Sequence, residues 1–345
     1  MPRLRFALPL VAALSLVAAT SAIPATASPS APAAPSATTA ITKGRLAGAD
    51  RYKTAVAISK ANFVAPQDYV VVASGQAFPD ALAAGPMGGL LEAPLLLVPT
   101  NGTLPSSVAA ELDRLQTNQI IVVGGPGAVS NSMVSQLDRH AKTGVIDVVA
   151  GSNRYATAAF ASDGYDPPLT NLPVYLASGT TFPDALGGSA AAAIRGGVML
   201  LTAPTSLPAE TASALKRLKP SKVVVLGGTG AVSNGVITKV RSTVGSAVPV
   251  TRVGGSNRYE TAAKVSANTL STAKEVFLAN GTSYPDALAG GAVAPYWNGR
   301  PLLLTQKNCV PRTTLNEIAR LGATKVTALG GTGVVSDAAL NLKPC

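Results

Sequence analysis

The 345-residue chain contains one histidine, two cysteines and one tryptophan, and aromatic residues make up 4% of it. A single His140 and two cysteines with no ligand cluster around them do not build a metal site. The nucleophile elbow GxSxG, the zinc signature HExxH and the redox pair CxxC are all missing. Acidic side chains are scarce, 17 against 28 Lys and Arg. Hydrolysis by carboxylates needs a paired set, and only one acid recurs at a fixed place along the chain. After the N-terminus no stretch approaches ~20 apolar residues free of Gly, Pro and charge, so no transmembrane segment is expected. These gaps point away from an enzyme and away from any cofactor.

The start of the chain reads as an export signal. Arg3 and Arg5 form a basic end, Phe6 to Ala19 an apolar stretch broken by Pro9, and Ala25-Thr26-Ala27 a small-residue cleavage site, giving a signal peptide over 1–27. Residues 28–40, SPSAPAAPSATTA, have the composition of an extended linker. The formal charge is +11, and about +9 once Arg3 and Arg5 leave with the signal. For an exported chain this favours anionic polymers outside the cell over nucleic acid; solubility alone is the plainer explanation of the same charge. Cys309 and Cys345 are expected to form a disulfide in an oxidising compartment, tying the C-terminus to a loop.

The rest of the chain repeats itself three times. GADRYKTA at 48–55 returns as GSNRYATA at 151–158 and GSNRYETA at 255–262. FPDAL at 78–82 and 182–186 becomes YPDAL at 284–288. GGPGAVS at 124–130 is followed by GGTGAVS at 227–233 and GGTGVVS at 330–336. A period this regular means one structural unit in tandem, and units of ~100 residues can each hold a core. Because the chain ends soon after the third GG motif, the strand before each GxxRY is assigned to the unit it opens. The units are then 41–143, 144–247 and 248–345, with no linker between them, so they should pack as one body. Three copies of one site suit a multivalent binder better than an enzyme.

Within unit one, apolar runs at Ile41–Leu46, Tyr69–Ala73, Leu95–Val98 and Ile120–Val123 alternate with helical patterns over Thr54–Phe63, Pro105–Leu115 and Ser130–Ala141. This predicts an α/β unit with a mainly parallel sheet and helices on both faces. Every repeated motif then follows a strand and falls at the carboxyl edge, where open α/β sheets bind ligands.

Three sets of candidate residues follow. The pairs Arg51-Tyr52, Arg154-Tyr155 and Arg258-Tyr259 offer a planar cation for phosphate or carboxylate and a ring for sugar. Asp80, Asp184 and Asp286 lie on a neighbouring loop, so each Arg could equally pair with an Asp, within a unit or across to the next, and simply hold loops together. The glycine pairs Gly124-Gly125, Gly227-Gly228 and Gly330-Gly331 either present backbone N–H groups to an anion or serve only as tight turns. Small residues after each PDAL suit close helix packing.

Taken together, the GxxRYxTA opening, the [FY]PDAL segment, the LLL-type strand (Leu95–Leu97, Met199–Leu201, Leu302–Leu304) and the GGxGxVS turn resemble the cell wall binding repeat 2 family of Gram-positive bacteria. The resemblance covers about 41–345. It implies Rossmann- or toprim-like modules packed with pseudo-threefold symmetry, which attach secreted proteins non-covalently to anionic secondary polymers of the wall, such as teichoic acids. The expected protein is therefore secreted, non-catalytic and wall-bound. Hydrolysis of wall glycan, assistance to such a hydrolase, and self-assembly into a surface layer are the alternatives.

Overall fold

The computed structural model describes residues 6–7, 40–296 and 298–345. The expected signal peptide and linker lie outside the described residues, apart from Phe6–Ala7, which pairs with Tyr165–Asp166, and Ala40.

Three four-stranded, all-parallel sheets carry the fold. Their strand orders are Leu95–Val98, Tyr69–Ser74, Gln119–Val123, Val145–Val149; then Val198–Thr202, Pro173–Ser178, Lys222–Leu226, Val250–Val253; then Leu302–Thr305, Glu275–Asn280, Lys325–Leu329, Thr42–Leu46. The inner strands are apolar and wholly buried along most of their length, as strands covered on both faces must be.

The fourth strand of each sheet corrects the expectation that the strand before GxxRY belongs to the unit it opens. Val145–Val149 pairs with Gln119–Val123, and Val250–Val253 with Lys222–Leu226, so each closes the sheet of the unit before it. The reason is local. A helix such as Asn131–Asp138, followed by a short return, makes a parallel crossover that lays the next strand beside the one just left. Thr42–Leu46 has no described unit before it and pairs with Lys325–Leu329 at the far end of the chain, Leu46 opposite Leu329. Repeat and sheet are thus offset by one strand, and the first strand closes a ring of three units.

The PDAL helices form the hub of this ring. Phe78–Leu90, Pro183–Ile194 and the broken pair Pro285–Leu288 and Gly290–Val293 pack against one another. At one end Phe78, Phe182 and Tyr284 meet as a triangle, with ring centroids 5.8, 5.7 and 5.2 Å apart. Such edge-on contacts add to the burial of the rings. Further along, Gly85, Ser189 and Gly291 occupy equivalent places, each five residues beyond its PDAL aspartate. A Cβ on Gly85 would lie 2.4 Å from Ser189 Oγ, so only glycine permits this approach. The small residues of these helices therefore pack unit against unit.

Cys309 and Cys345 are bonded, as expected, with Cα atoms 4.8 Å apart. The tail is also held by Val310 N–H donating to Lys343 O and Cys345 N–H to Val310 O. Among the described residues no helix is long and apolar enough to cross a membrane.

Candidate functional site

Each GxxRY motif begins a helix: Arg51–Asn62, Arg154–Phe160 and Arg258–Thr269. The residue before Arg is the N-cap. Asp50 accepts from Lys53 N–H, Asn153 from Tyr155 and Ala156, and Asn257 from Tyr259 and Glu260. This fixes Arg at the first helical position, from which Nη1 donates to the carbonyl ending a central strand. The bonds are Arg51 to Gly75 at 2.5 Å, Arg154 to Gly179 at 2.6 Å and Arg258 to Gly281 at 2.6 Å. The tyrosines pack on the same glycines. A Cβ at Gly75, Gly179 or Gly281 would lie 2.9, 2.7 or 2.7 Å from Cε1 of Tyr52, Tyr155 or Tyr259.

The PDAL aspartates sit in the first turn of their helices behind Pro79, Pro183 and Pro285, where the helix dipole favours a carboxylate. Each lies under the first glycine of a GG turn. A Cβ on Gly124, Gly227 or Gly330 would lie 2.9, 2.4 or 2.7 Å from Oδ2 of Asp80, Asp184 or Asp286. These glycines also have φ of +130°, +88° and +102°, so conformation and space both demand glycine.

The aspartate of one unit faces the arginine of the next. Arg154 acts on Asp80, Arg258 on Asp184 and Arg51 on Asp286, which runs the pairing once around the ring. None of these arginines forms a direct ion pair within 4.0 Å among the described residues, so the two charges face each other without being clamped. A threonine that the sequence reading passed over links them. Thr54, Thr157 and Thr261 Oγ1 accept the N–H of Gly48, Gly151 and Gly255. The Thr54 and Thr261 hydroxyls also stand near the Asp286 and Asp184 carboxyls, where they favour the ionised form. Their fixed place three residues after each Arg was the available signal.

At the seam between units three and one these groups line an open cleft of about 330 Å³ that includes Asp50, Arg51, Thr54, Asp286 and Gly331. The second glycines of the GG turns face the next unit or stand open: a Cβ on Gly331 would lie 4.0 Å from Gly48 O, one on Gly125 3.7 Å from Ala150 Cβ, and one on Gly228 would meet open space. Arg, Asp and the second glycine are therefore brought together. Tyr52 does not line this cleft, and all three tyrosines pack against the core.

Burial pushes the Asp80 carboxyl up to about 6, against the opposing pull of Arg154. Asp184 and Asp286 are raised by burial too, and held back by their threonines and by Arg258 and Arg51. A second cation braces two of the turns from the closing strand. Arg45 donates to Gly330 O, Val335 O and Asp337, and Arg252 to Gly227 O, Val232 O and Asn234. In the remaining sheet the equivalent position is Val148, which stands exposed. Among the described residues no group of three or more His, Cys, Asp or Glu is placed to hold a metal.

The repeat finds its counterpart in known proteins. A family profile described as cell wall binding domain 2 (CWB2) matches residues 45–134, 149–237 and 252–340. The chain belongs to the CWB2 family. It is 34% identical over 298 residues to the N-acetylmuramoyl-L-alanine amidase LytC of Bacillus subtilis, covering 86% of this chain and 57% of that protein. It is 28% identical over 270 residues to the amidase enhancer of the same organism, covering 77% and 35%. Among solved structures it resembles Cwp6 from Clostridium difficile, with a TM-score of 0.78 and 25% identity over 88% of this chain and 48% of that one. Cwp8 from the same organism gives 0.73 and 26% over 86% and 50%. The chain thus spans about half, or less, of the length of most of these relatives. Three tandem cell wall binding units and the ring of parallel sheets are both as the sequence predicted.

Proposed function

We propose that this protein is exported and attaches non-covalently to anionic secondary polymers of the wall, without catalysis, through the three seams between its units. The observation that carries this reading is the Arg–Asp–glycine arrangement recurring at each seam, in a chain of formal charge +11. Each arginine commits Nη1 to a glycine carbonyl and keeps its remaining N–H groups for a ligand anion. The aspartate and threonine suit sugar hydroxyls. Three weak sites on one rigid ring gain avidity through effective concentration.

The test is binding to purified sacculi before and after the anionic polymers are stripped. Stripping should abolish binding, and added salt should weaken it. Arg154→Ala, with its fold checked by circular dichroism, should weaken binding about tenfold or more through lost avidity. Lys222→Ala, on an unrelated strand, should leave it nearly unchanged. Equal effects from the two would make the Arg-Tyr loops scaffold only.

A second reading, hydrolysis of the wall or assistance to a hydrolase, draws on the amidase and the amidase enhancer among the relatives. It also draws on Asp50, which puts a second carboxyl beside Asp286 in one cleft, where the other seams have Asn153 and Asn257. Release of reducing sugar or free amine from sacculi would bring it forward.

A further inference from the structure

A cavity of about 590 Å³ lies away from the PDAL and GG loops, against the closing strand Thr42–Leu46 and the starts of Glu275–Asn280 and Lys325–Leu329. Lys274, Arg300 and Lys325 line it, together with one acid, Glu275. A fourth cation, Arg45, is engaged by Asp337 and two carbonyls. The size falls within the range of small-molecule sites.

Arg300 is the unusual member. It is 4% exposed, yet among the described residues its Nε has no hydrogen-bond partner. Nη2 donates to Asn62 Oδ1 and Val293 O, whereas Nη1 meets only Glu275 Oε2 at a loose 3.8 Å. Glu275 is itself turned to Lys325 Nζ at 3.1 Å and to the Thr327 hydroxyl. A buried guanidinium with unmet donors is costly to keep, so a reason for it is required.

The fold offsets part of that cost, since the guanidinium also lies over the Phe277 ring at 4.7 Å to the centroid, but this contact pairs neither Nε nor Nη1. By strand register, Arg300 occupies the place of Ala93 in unit one and Gly197 in unit two. Glu275 stands where the others have Tyr69 and Pro173, and Thr327 where they have Ile121 and Val224. Gly44 replaces Asp147 and Thr251, which removes a side chain, and in unit one an acid, from the same position. Four coordinated changes convert an ordinary sheet end into a polar cavity with excess positive charge, in one unit of three.

We infer that this cavity binds the phosphoryl group of a small polyol or sugar phosphate, held by Arg300, Lys274 and Lys325. Arg300 offers its loosely held Nη1 and a fixed positive charge, and the lysines supply charge at the mouth. The site is separate from the seams and stands whether or not they bind the wall.

Calorimetry with the full chain tests it, using inorganic phosphate, glycerol 3-phosphate and the diester glycerophosphoglycerol, with glycerol as the neutral control. Saturable binding of at least one phosphate compound and none of glycerol is expected. Preference for the monoester marks a free metabolite as source, and preference for the diester a wall polymer. Arg300→Ala restores the unit-one residue and Lys274→Glu alters an exposed side chain that cannot unfold the protein. Gly44→Asp returns the unit-one acid to the cavity. Each should weaken binding at least tenfold. No saturable binding by the unaltered chain, or undiminished binding by Lys274→Glu and Gly44→Asp, would overturn the inference. Binding to sacculi, read in parallel, separates failure here from failure of the seam reading.

Discussion

Asp80 makes the stability of the ring depend on pH between about 4 and 6, and the sign is opposite to that of an ordinary salt-bridged carboxylate. Its ordinary value is 3.8, and in the folded protein burial lifts it to about 6. Between those values the folded chain holds a proton that the unfolded chain has released. Stability from this group is therefore fully present below about pH 4 and is lost as pH rises through 6. Moving a carboxyl that far costs its ionised form about 2–3 kcal/mol. Asp80→Asn cannot ionise, and comparing it with the unaltered protein cancels every other titrating group. Urea unfolding at steps from pH 4 to 7.5 should show the variant gaining about 2–3 kcal/mol relative to the parent across the window. A constant offset between the two is immaterial, because the amide meets Gly124 differently from the carboxylate at every pH. Arg154 opposes the lift, so in Arg154→Ala the inflection should move to higher pH. A difference curve flat from pH 4 to 7.5 would refute the net lift of Asp80 by burial, and an inflection that stays put in Arg154→Ala would refute the facing of the two units.

Other consequences are more direct. Separating Cys309 from Cys345 by reduction should lower stability by about 3–4 kcal/mol for a loop of this length, read from the urea midpoint with and without reductant. Arg252→Ala should cost about 1–3 kcal/mol by leaving Gly227 O and Val232 O without their donor, whereas Val148→Arg should gain about 0.5–1.5 kcal/mol by supplying the brace its sheet lacks, both read by thermal unfolding. Gly85→Val should destabilise by about 1–3 kcal/mol or more through overpacking against Ser189 and Gly291, again by thermal unfolding, while the same change at Gly102, a loop glycine with open space around it, should act only through its φ of +90°.

The parts of the fold that obey local rules were legible from the residues. Continuous apolar runs such as Tyr69–Ser74 could only be buried parallel strands, and the caps before Arg51, Arg154 and Arg258 are of a type that starts helices. The disulfide followed from two cysteines and an oxidising compartment. The meeting of Phe78, Phe182 and Tyr284 was not legible, because each lies about a hundred residues from the next and nothing local marks an axis. Nor was the cavity around Arg300, whose meaning depends on Ala93 and Gly197 standing at the same register in other sheets.

The offset between repeat and sheet shows why the candidate site was harder to see than its residues. A tandem repeat fixes the period of a chain but leaves open where each unit begins. Assigning Thr42–Leu46 to the unit it precedes puts Arg51 and Asp80 in one module and leaves open whether a site lies inside it or at a seam. The observed pairing of Thr42–Leu46 with Lys325–Leu329 moves the join by one strand, and Arg51 then faces Asp286 from the far end of the chain. Each seam takes its arginine and threonine from one unit and its aspartate and glycines from the unit before. No single unit contains a whole candidate site. The closing strand is therefore as much a part of the third candidate site as the side chains that line it, since it joins the first unit to the sheet of the last, beside the contacts of the hub helices.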